Sequence, residues 1–326
     1  MRNRRWFLGV IGSVFSGIPL AARSQQRGIY RIGYLHPTDA SDVLYPAFLQ
    51  ALNGLGYVVG GNTVIEARFA ENRVERLPAL AAELVAKRVD VLVAVAPTAI
   101  EAARAATKTI PIVMAFSGGD PVKSGFVATL ARPGGNVTGV TSVALDIAPK
   151  WIELLRDLVP DLRRVAVLRS PARADHTAQI GVLRATAESN GIGLHVFEAG
   201  SADRFAEAFA AMAGADSQAV VVLTGPDMVS GRARLVELAT SHRLPTVYQF
   251  SYFVQGGGLI SYGPDITVLS SRAAVYVDKI LKGANPAELP VEEPRKLLLV
   301  INRRTASALG LKIPQALLLQ ADQVIQ

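Results

Sequence analysis

The chain contains no cysteine and only four histidines in 326 residues. Without cysteine there is no disulfide, no thiolate metal site, no thiol nucleophile and no lipid-bearing cysteine at an export cleavage site. The histidines, His36, His176, His195 and His242, are scattered. Only the stretch HPTDASD sets one, His36, beside carboxylates, Asp39 and Asp42; a polar loop after the first strand is the simpler reading, a metal site the sharper one. Catalytic signatures are missing too. No Gly-Lys-Ser/Thr follows the second glycine around DPVKS, no GxSxG occurs, and no GxGxxG follows YRIGYL, so the nucleotide-cradling loop, the nucleophile elbow and the dinucleotide fingerprint are not encoded. No catalytic constellation and no cofactor are called for. Beyond the first residues, no run of about 18 uncharged apolar residues is long enough to span a bilayer.

The formal charge of +7 invites a nucleic-acid reading. Arg2, Arg4, Arg5 and Arg23 all fall in the first 24 residues, which contain no acid, and removing those four from +7 leaves +3 for the rest. Neither a basic stripe nor aromatics interleaved with Lys and Arg is visible, so nucleic acid is excluded as a partner. The leader, MRNRRWFLGVIGSVFSGIPLAARSQQ, combines a positive start with a Gly-containing apolar run from Trp6 to Leu20. That is the pattern of a signal peptide, and Arg4-Arg5 before Trp6-Phe7-Leu8 fits the twin-arginine type. Small residues at Ala22 and Ser24 place cleavage after Ser24. A periplasmic destination follows, with an uncleaved anchor or the basic start of a cytosolic protein as the alternatives.

At this length one core tends to split, so two domains are expected. Half the residues are apolar and 19% charged, a globular composition. Strands are read at Tyr30 to Leu35, Thr63 to Phe69, Val89 to Ala96 and Ile110 to Phe116, several of them continuous apolar runs as in parallel sheets covered on both faces. Helical patterns such as Val74 to Arg88 lie between them. The second half repeats the first: RIGYLHP (31–37) is echoed by RVAVLRSP (164–171), and IPIVMAF (110–116) by LPTVYQF (244–250). One α/β unit is used twice, which predicts two similar, doubly wound parallel-sheet lobes with a cleft between them.

Ligands of such sheets bind beyond the carboxyl ends of the strands. After VLVAVA, Thr98 reads as a helix N-cap whose hydroxyl and neighbouring N–H groups either cap or hold a carboxylate. After IPIVMAF come Ser117, Gly118 and Gly119, where glycine lets backbone approach a ligand, and Asp120, read as structural. Thr224 and Asp227 hold the equivalent place after AVVVL; Asp227 either pairs with a ligand ammonium or caps a helix. The block VYQFSYFVQGGGLISYGPD gathers Tyr248, Phe250, Tyr252, Phe253 and Tyr262, of which two are expected to wall a pocket and the rest to pack a core.

SGGDPVKSGFVATLARPGGNVTGVTS, LPTVYQFSYFVQGGGLISYGPD, the tail LPVEEPRKLLLVINRRTASALGLKIPQALLLQADQVI and the NRRWFLG leader together resemble the ABC-transporter substrate-binding proteins of the group with tryptophan- and tyrosine-binding members. The resemblance runs over essentially the whole chain. It implies a periplasmic-binding-protein fold of type I, two α/β lobes joined by three crossovers that close on a small ligand and dock onto a permease in the inner membrane. It places ligand loops at Thr98, Ser117-Gly118, Asp227 and Phe250. Where relatives carry an Asn-Pro-x-x-Asn loop, this chain has RSPARADH (169–176), whose arginines suit an acidic group. The candidate ligand residues are thus His36, Thr98, Ser117, Gly118, Ser170, Thr224, Asp227, Phe250 and Tyr252. Thr98 and the Ser117 loop are expected to hold a carboxylate, Asp227 an amine, and Phe250 or Tyr252 a side chain.

The crossovers are expected near Gly139 to Val143, Ile260 to Pro264 and Asn285 to Pro290. The first lobe is then 28–140 plus 264–285 and the second 141–263 plus 286–326, after a signal peptide of 24 residues. The expected function is capture of an amino acid, aromatic ones included, or a related small organic solute, without catalysis. A periplasmic sensory module and a two-domain α/β enzyme are the readings from other classes.

Overall fold

The computed structural model describes residues 28–326 except 41–42, 143, 172, 174–175 and 295, with backbone alone at 144–146. The leader and its cleavage point, Asp42 of the His36 cluster and the far end of the first expected crossover lie outside the described residues.

The chain begins β1 (Tyr30–His36), α1 (Leu44–Gly54), β2 (Thr63–Phe69), α2 (Leu77–Ala86), β3 (Val91–Val95), α3 (Ala96–Ala106), β4 (Ile112–Phe116) and β5 (Val137–Gly139). It continues α4 (Ala144–Leu158), β6 (Arg164–Arg169), α5 (His176–Ser189), β7 (Gly193–Glu198), α6 (Phe205–Gly214), β8 (Ala219–Val222), α7 (Pro226–Ser230), α8 (Arg232–Ser241) and β9 (Thr246–Tyr248). The remainder is α9 (Ser251–Gln255), β10 (Ile260–Pro264), α10 (Ile266–Leu281), β11 (Leu297–Asn302), α11 (Arg303–Ala308), α12 (Gln315–Gln320) and β12 (Gln323–Ile325).

Two sheets result, ordered β2-β1-β3-β4-β5 and β12-β11-β10-β9-β8-β6-β7. Read from its other edge, the second begins β7-β6-β8-β9-β10, the strand order of the first, and all these neighbours pair parallel. The sequence repeat is thus a topological repeat. The second lobe adds β11, antiparallel to β10, and β12 at its edge.

Why the strands are apolar throughout is visible in β3. Val91, Val93 and Val95 face one buried cluster with Tyr34 and Phe48, whereas Leu92 and Ala94 face another with Leu80 and Ile100. Alternate side chains enter opposite faces, and helices cover both. In β8, Val220 and Val222 likewise point one way and Ala219 and Val221 the other.

The chain passes between lobes after β5, after β10 and before β11. At the first passage Gly139, at φ +131°, lies against the backbone of Met114. The second opens with Asp265, which caps α10 by accepting from the Thr267 and Val268 amides at 2.9 and 3.4 Å. α10 then packs on α1, β3, β4 and β5, back in the first lobe. Ile260 to Pro264 is therefore a full strand of the second sheet, with the crossing at its end; pairing with both β9 and β11 holds it there. On the way back Val140 and Glu292 bridge, Thr141 N donating to Glu292 O and Glu292 N to Gly139 O, both at 2.9 Å. The first and third passages thus run side by side.

Candidate functional site

The carboxyl ends of the strands of both lobes face one cleft. Its walls leave about 510 Å³, part of it open to solvent. From the first lobe come the ends of β1, β3 and β4: His36 with Thr38, Val95 with Ala96, and Phe116 with Gly118. From the second come Arg173, Gln179 of α5, Thr224, Gly225, and Gln249 with Phe250 and Tyr252 after β9. Phe116 and Phe250 meet edge-on with centroids 6.1 Å apart, and Phe250 stacks on Tyr252 at 5.7 Å. Rings from both lobes therefore form one apolar wall.

Of the nine candidates, His36, Gly118, Thr224, Phe250 and Tyr252 line the cleft. The buried His36 ring is oriented by Thr38, whose amide donates to Nδ1 at 3.1 Å. Among the described residues no group of three or more His, Cys, Asp and Glu could hold a metal ion. Gly118 has φ +71°, which opens the loop after β4 toward the cleft. Of the five aromatics in the 247–265 block, Phe250 and Tyr252 line the cleft while Tyr248 and Phe253 stack in the core at 4.8 Å. Tyr262 packs partly buried against the second-lobe cluster.

The other four stand outside that lining, each with its own environment. Thr98 is not an N-cap: α3 starts at Ala96 and its cap position is Val95, so Thr98 is the third helical residue. The helix begins early because Ala96 itself takes φ +66°, turning the chain straight from β3 into α3. A non-glycine residue in that conformation is strained, and such strain gathers at ligand clamps. The Thr98 hydroxyl is buried with no hydrogen-bond partner. Ser117 directs its hydroxyl inward, donating to Gly119 O at 2.6 Å and meeting the Thr141 hydroxyl at 2.6 Å. It ties the loop to the first crossover, and the loop offers the cleft Gly118 instead. Asp120 accepts from the Val122 and Lys123 amides and closes a turn.

Ser170 and Asp227 sit together behind Gly225. A Cβ on Gly225 would stand 2.7 Å from Asp227 Oδ1 and 3.5 Å from Ser170 Cβ. Gly225, not Asp227, is the cap position of α7. Both Asp227 carboxylate oxygens are buried without a hydrogen-bond partner. Burial pushes the carboxyl above its ordinary value; the Ser170 hydroxyl and the Met228 amide, which approach without closing a full bond, and the Arg173 charge oppose the shift.

Among the cleft groups not singled out from the sequence are Phe116, Gln179 and Gln249. Gln179 Oε1 and Gln249 Nε2 are buried without partners, as is the Thr224 hydroxyl. An unpartnered acceptor, an unpartnered donor and a hydroxyl able to do both suit a small polar ligand, since buried polar groups require partners. Phe116 closes an apolar strand run and Gln249 directly precedes Phe250, so position gave each a signal. Gln179 lies inside a helix and carried none.

The model of the family described as ABC transporter substrate binding protein matches residues 35–325. The chain belongs to that family. Among curated relatives, a tyrosine-binding protein from Clostridioides difficile is 28% identical over 279 residues, covering 85% of this chain and 79% of that protein. Among solved structures, a domain from Streptococcus pneumoniae in complex with L-Trp superposes with a TM-score of 0.84 at 29% identity, covering 91% of this chain and 99% of that one. A conserved domain protein from Vibrio cholerae gives a TM-score of 0.84 at 28% identity over the same shares. A solute-binding protein from Actinobacillus succinogenes with bound D-allose shares the fold at 17% identity and a TM-score of 0.59, covering 85% of this chain and 99% of that one. The substrate-binding family is thus built here on the type I periplasmic-binding-protein fold, and no helix among the described residues is long and apolar enough to cross a membrane.

Proposed function

We propose that the protein is the solute receptor of an ABC importer, capturing an amino acid with a large apolar or aromatic side chain and delivering it to a permease in the inner membrane. One observation carries this reading. In a single cleft, the unpartnered Gln179 oxygen, Gln249 nitrogen and Thr224 hydroxyl face a wall of Phe116, Phe250 and Tyr252. Polar atoms fix one end of a ligand and rings bury the other. The tyrosine-binding relative and the L-Trp complex point to the same ligand class.

The lobes are taken as 28–140 plus 265–291 and 141–264 plus 292–326, since Pro264 still pairs with Leu297 and Val291 packs in the first-lobe cluster, and they move about the paired crossovers. Ligand contacts made by both lobes exist only when they are together, so binding stabilises the closed form over the open one. No reaction is catalysed. Residues 1–24 are the export signal, and the receptor works in the periplasm.

Thermal unfolding of the purified protein against the twenty L-amino acids tests the assignment. A ligand at a hundred times its dissociation constant adds about 2.7 kcal/mol, so tryptophan, tyrosine or phenylalanine should raise Tm by several degrees. If no α-amino acid moves Tm or gives a heat of binding, the ligand class is wrong.

A further inference from the structure

We propose that Arg173 is the specificity-determining residue of the cleft, reading a free carboxylate on the ligand from the second lobe. This rests on the proposed ligand class and moves carboxylate recognition away from the first-lobe Thr98 and Ser117 loop, where the sequence reading expected it. The Ser117 hydroxyl is engaged with Gly119 and Thr141, and Thr98 is not among the lining residues.

Arg173 is 6% exposed, yet it belongs to a loop. Its backbone is held in a local turn: its amide donates to Ser170 O at 3.2 Å, and its carbonyl accepts from His176 N at 3.3 Å. The stem then runs past Gly225, whose Cβ position is 3.6 Å from Arg173 Cγ. The guanidinium crosses to the first lobe, where Nη2 stands 2.9 Å from the position a Gly118 Cβ would take, beside Pro97. Two glycines, one in each lobe, therefore make room for this side chain. Among the described lining residues Arg173 is the one with a permanent charge. A planar five-donor fork can serve a protein acceptor and a ligand carboxylate together, which a lysine point charge cannot do with the same geometry. Reaching from one lobe to the loop of the other, it contacts a bound carboxylate only when the cleft is shut.

The test is a cycle of ligand and side chain. Dissociation constants are measured by calorimetry for L-tryptophan, L-tryptophanamide, indole-3-propionate and indole-3-propionamide, on the wild type, Arg173→Gln and Arg173→Lys. Wild type should prefer each acid over its amide by at least about 30-fold. Arg173→Gln should bring that ratio within about threefold, with Arg173→Lys between. A variant that is merely loosened loses acid and amide alike, so its ratio stays at the wild-type value, and that result overturns the assignment. Equal binding of acid and amide by the wild type overturns it too. If none of the four binds, the proposed ligand class falls and this inference with it; binding with an unchanged ratio removes this inference alone.

Discussion

Arg272 grips Glu292 through two hydrogen bonds, Nε to Oε2 at 2.8 Å and Nη2 to Oε1 at 2.6 Å. One partner belongs to α10, which follows the second crossover; the other sits where the first and third run together. The same carboxylate accounts for the rise in the Arg272 pKa. The helix that follows the second passage is thereby fastened to the place where the other two run together.

The pair is partly exposed, with side-chain accessibilities of 39% and 29%, so screening limits its worth. A double-mutant cycle of Arg272→Met and Glu292→Gln in urea should give a coupling of about 0.5–1 kcal/mol that shrinks as salt is added. A coupling of zero in dilute buffer would mean that the fork contributes geometry alone.

Two glycines should respond differently to a methyl group. A Cβ at Gly139 would lie 2.3 Å from Met114 O and 2.6 Å from Met114 N, both backbone atoms inside β4. At Gly118 the nearest atom is the mobile end of Arg173, followed by Pro97 at 3.1 Å. Gly139→Ala should lose more than about 2 kcal/mol in urea unfolding. Gly118→Ala should lose about 1–2 kcal/mol, from its left-handed backbone, together with much of its affinity for L-tryptophan. A Gly139→Ala protein that unfolds at the wild-type midpoint contradicts the close packing of the first crossover on β4.

Asp227 makes stability depend on pH in a definite sense. Its folded pKa is raised above the ordinary 3.8, burial being the main cause. Between the unfolded and folded values the folded state holds the extra proton, so stability falls as pH rises through that window, and above it the full cost of burying the charge remains. Asp227→Asn should therefore unfold at higher urea than wild type at pH 7, the gap closing as pH falls through the raised folded value toward 3.8. If an ammonium binds there, the same variant should lose affinity for L-tryptophan while gaining stability without ligand. A gap that widens toward low pH would reverse the assigned shift.

Phe250 and Tyr252 separate structure from binding. Phe250 is 1% exposed and joined to the core, so Phe250→Ala should cost about 3–4 kcal/mol. Tyr252 is half-buried at the cleft, stacked between Phe250 and Phe253. Tyr252→Ala should fold well and lose about tenfold in affinity for L-tryptophan. Unchanged affinity would place the ligand's ring against another wall.

What the sequence disclosed follows from what is local. β2 spans Thr63–Phe69 as read, β1 and β4 differ at their ends by a residue or two, and β3 is the Val91–Val95 centre of the run read from Val89 to Ala96. Continuous apolar runs are written in neighbouring positions, and the repeat shows the same pattern twice. The cleft was legible as a set of loops but not as a set of side chains. Whether Ser117 faces ligand or Thr141 depends on a residue 24 positions away. Thr98 missed the cap because Ala96 accepts a conformation that alanine rarely takes. Gln179 shows itself only when α5 is set against the ends of β8 and β9, and the reach of Arg173 appears only once Gly118 of the other lobe lies beneath it.

The placement of α10 has a consequence for how the chain is made. α10 packs on α1, whose Leu44, Phe48 and Leu52 are buried in the same cluster as its Leu269, Ala273 and Val277. In synthesis from the amino end, the second lobe's β6 to β10 all emerge before that helix does. The first lobe waits with an apolar face uncovered, and its completion falls after most of its partner already exists.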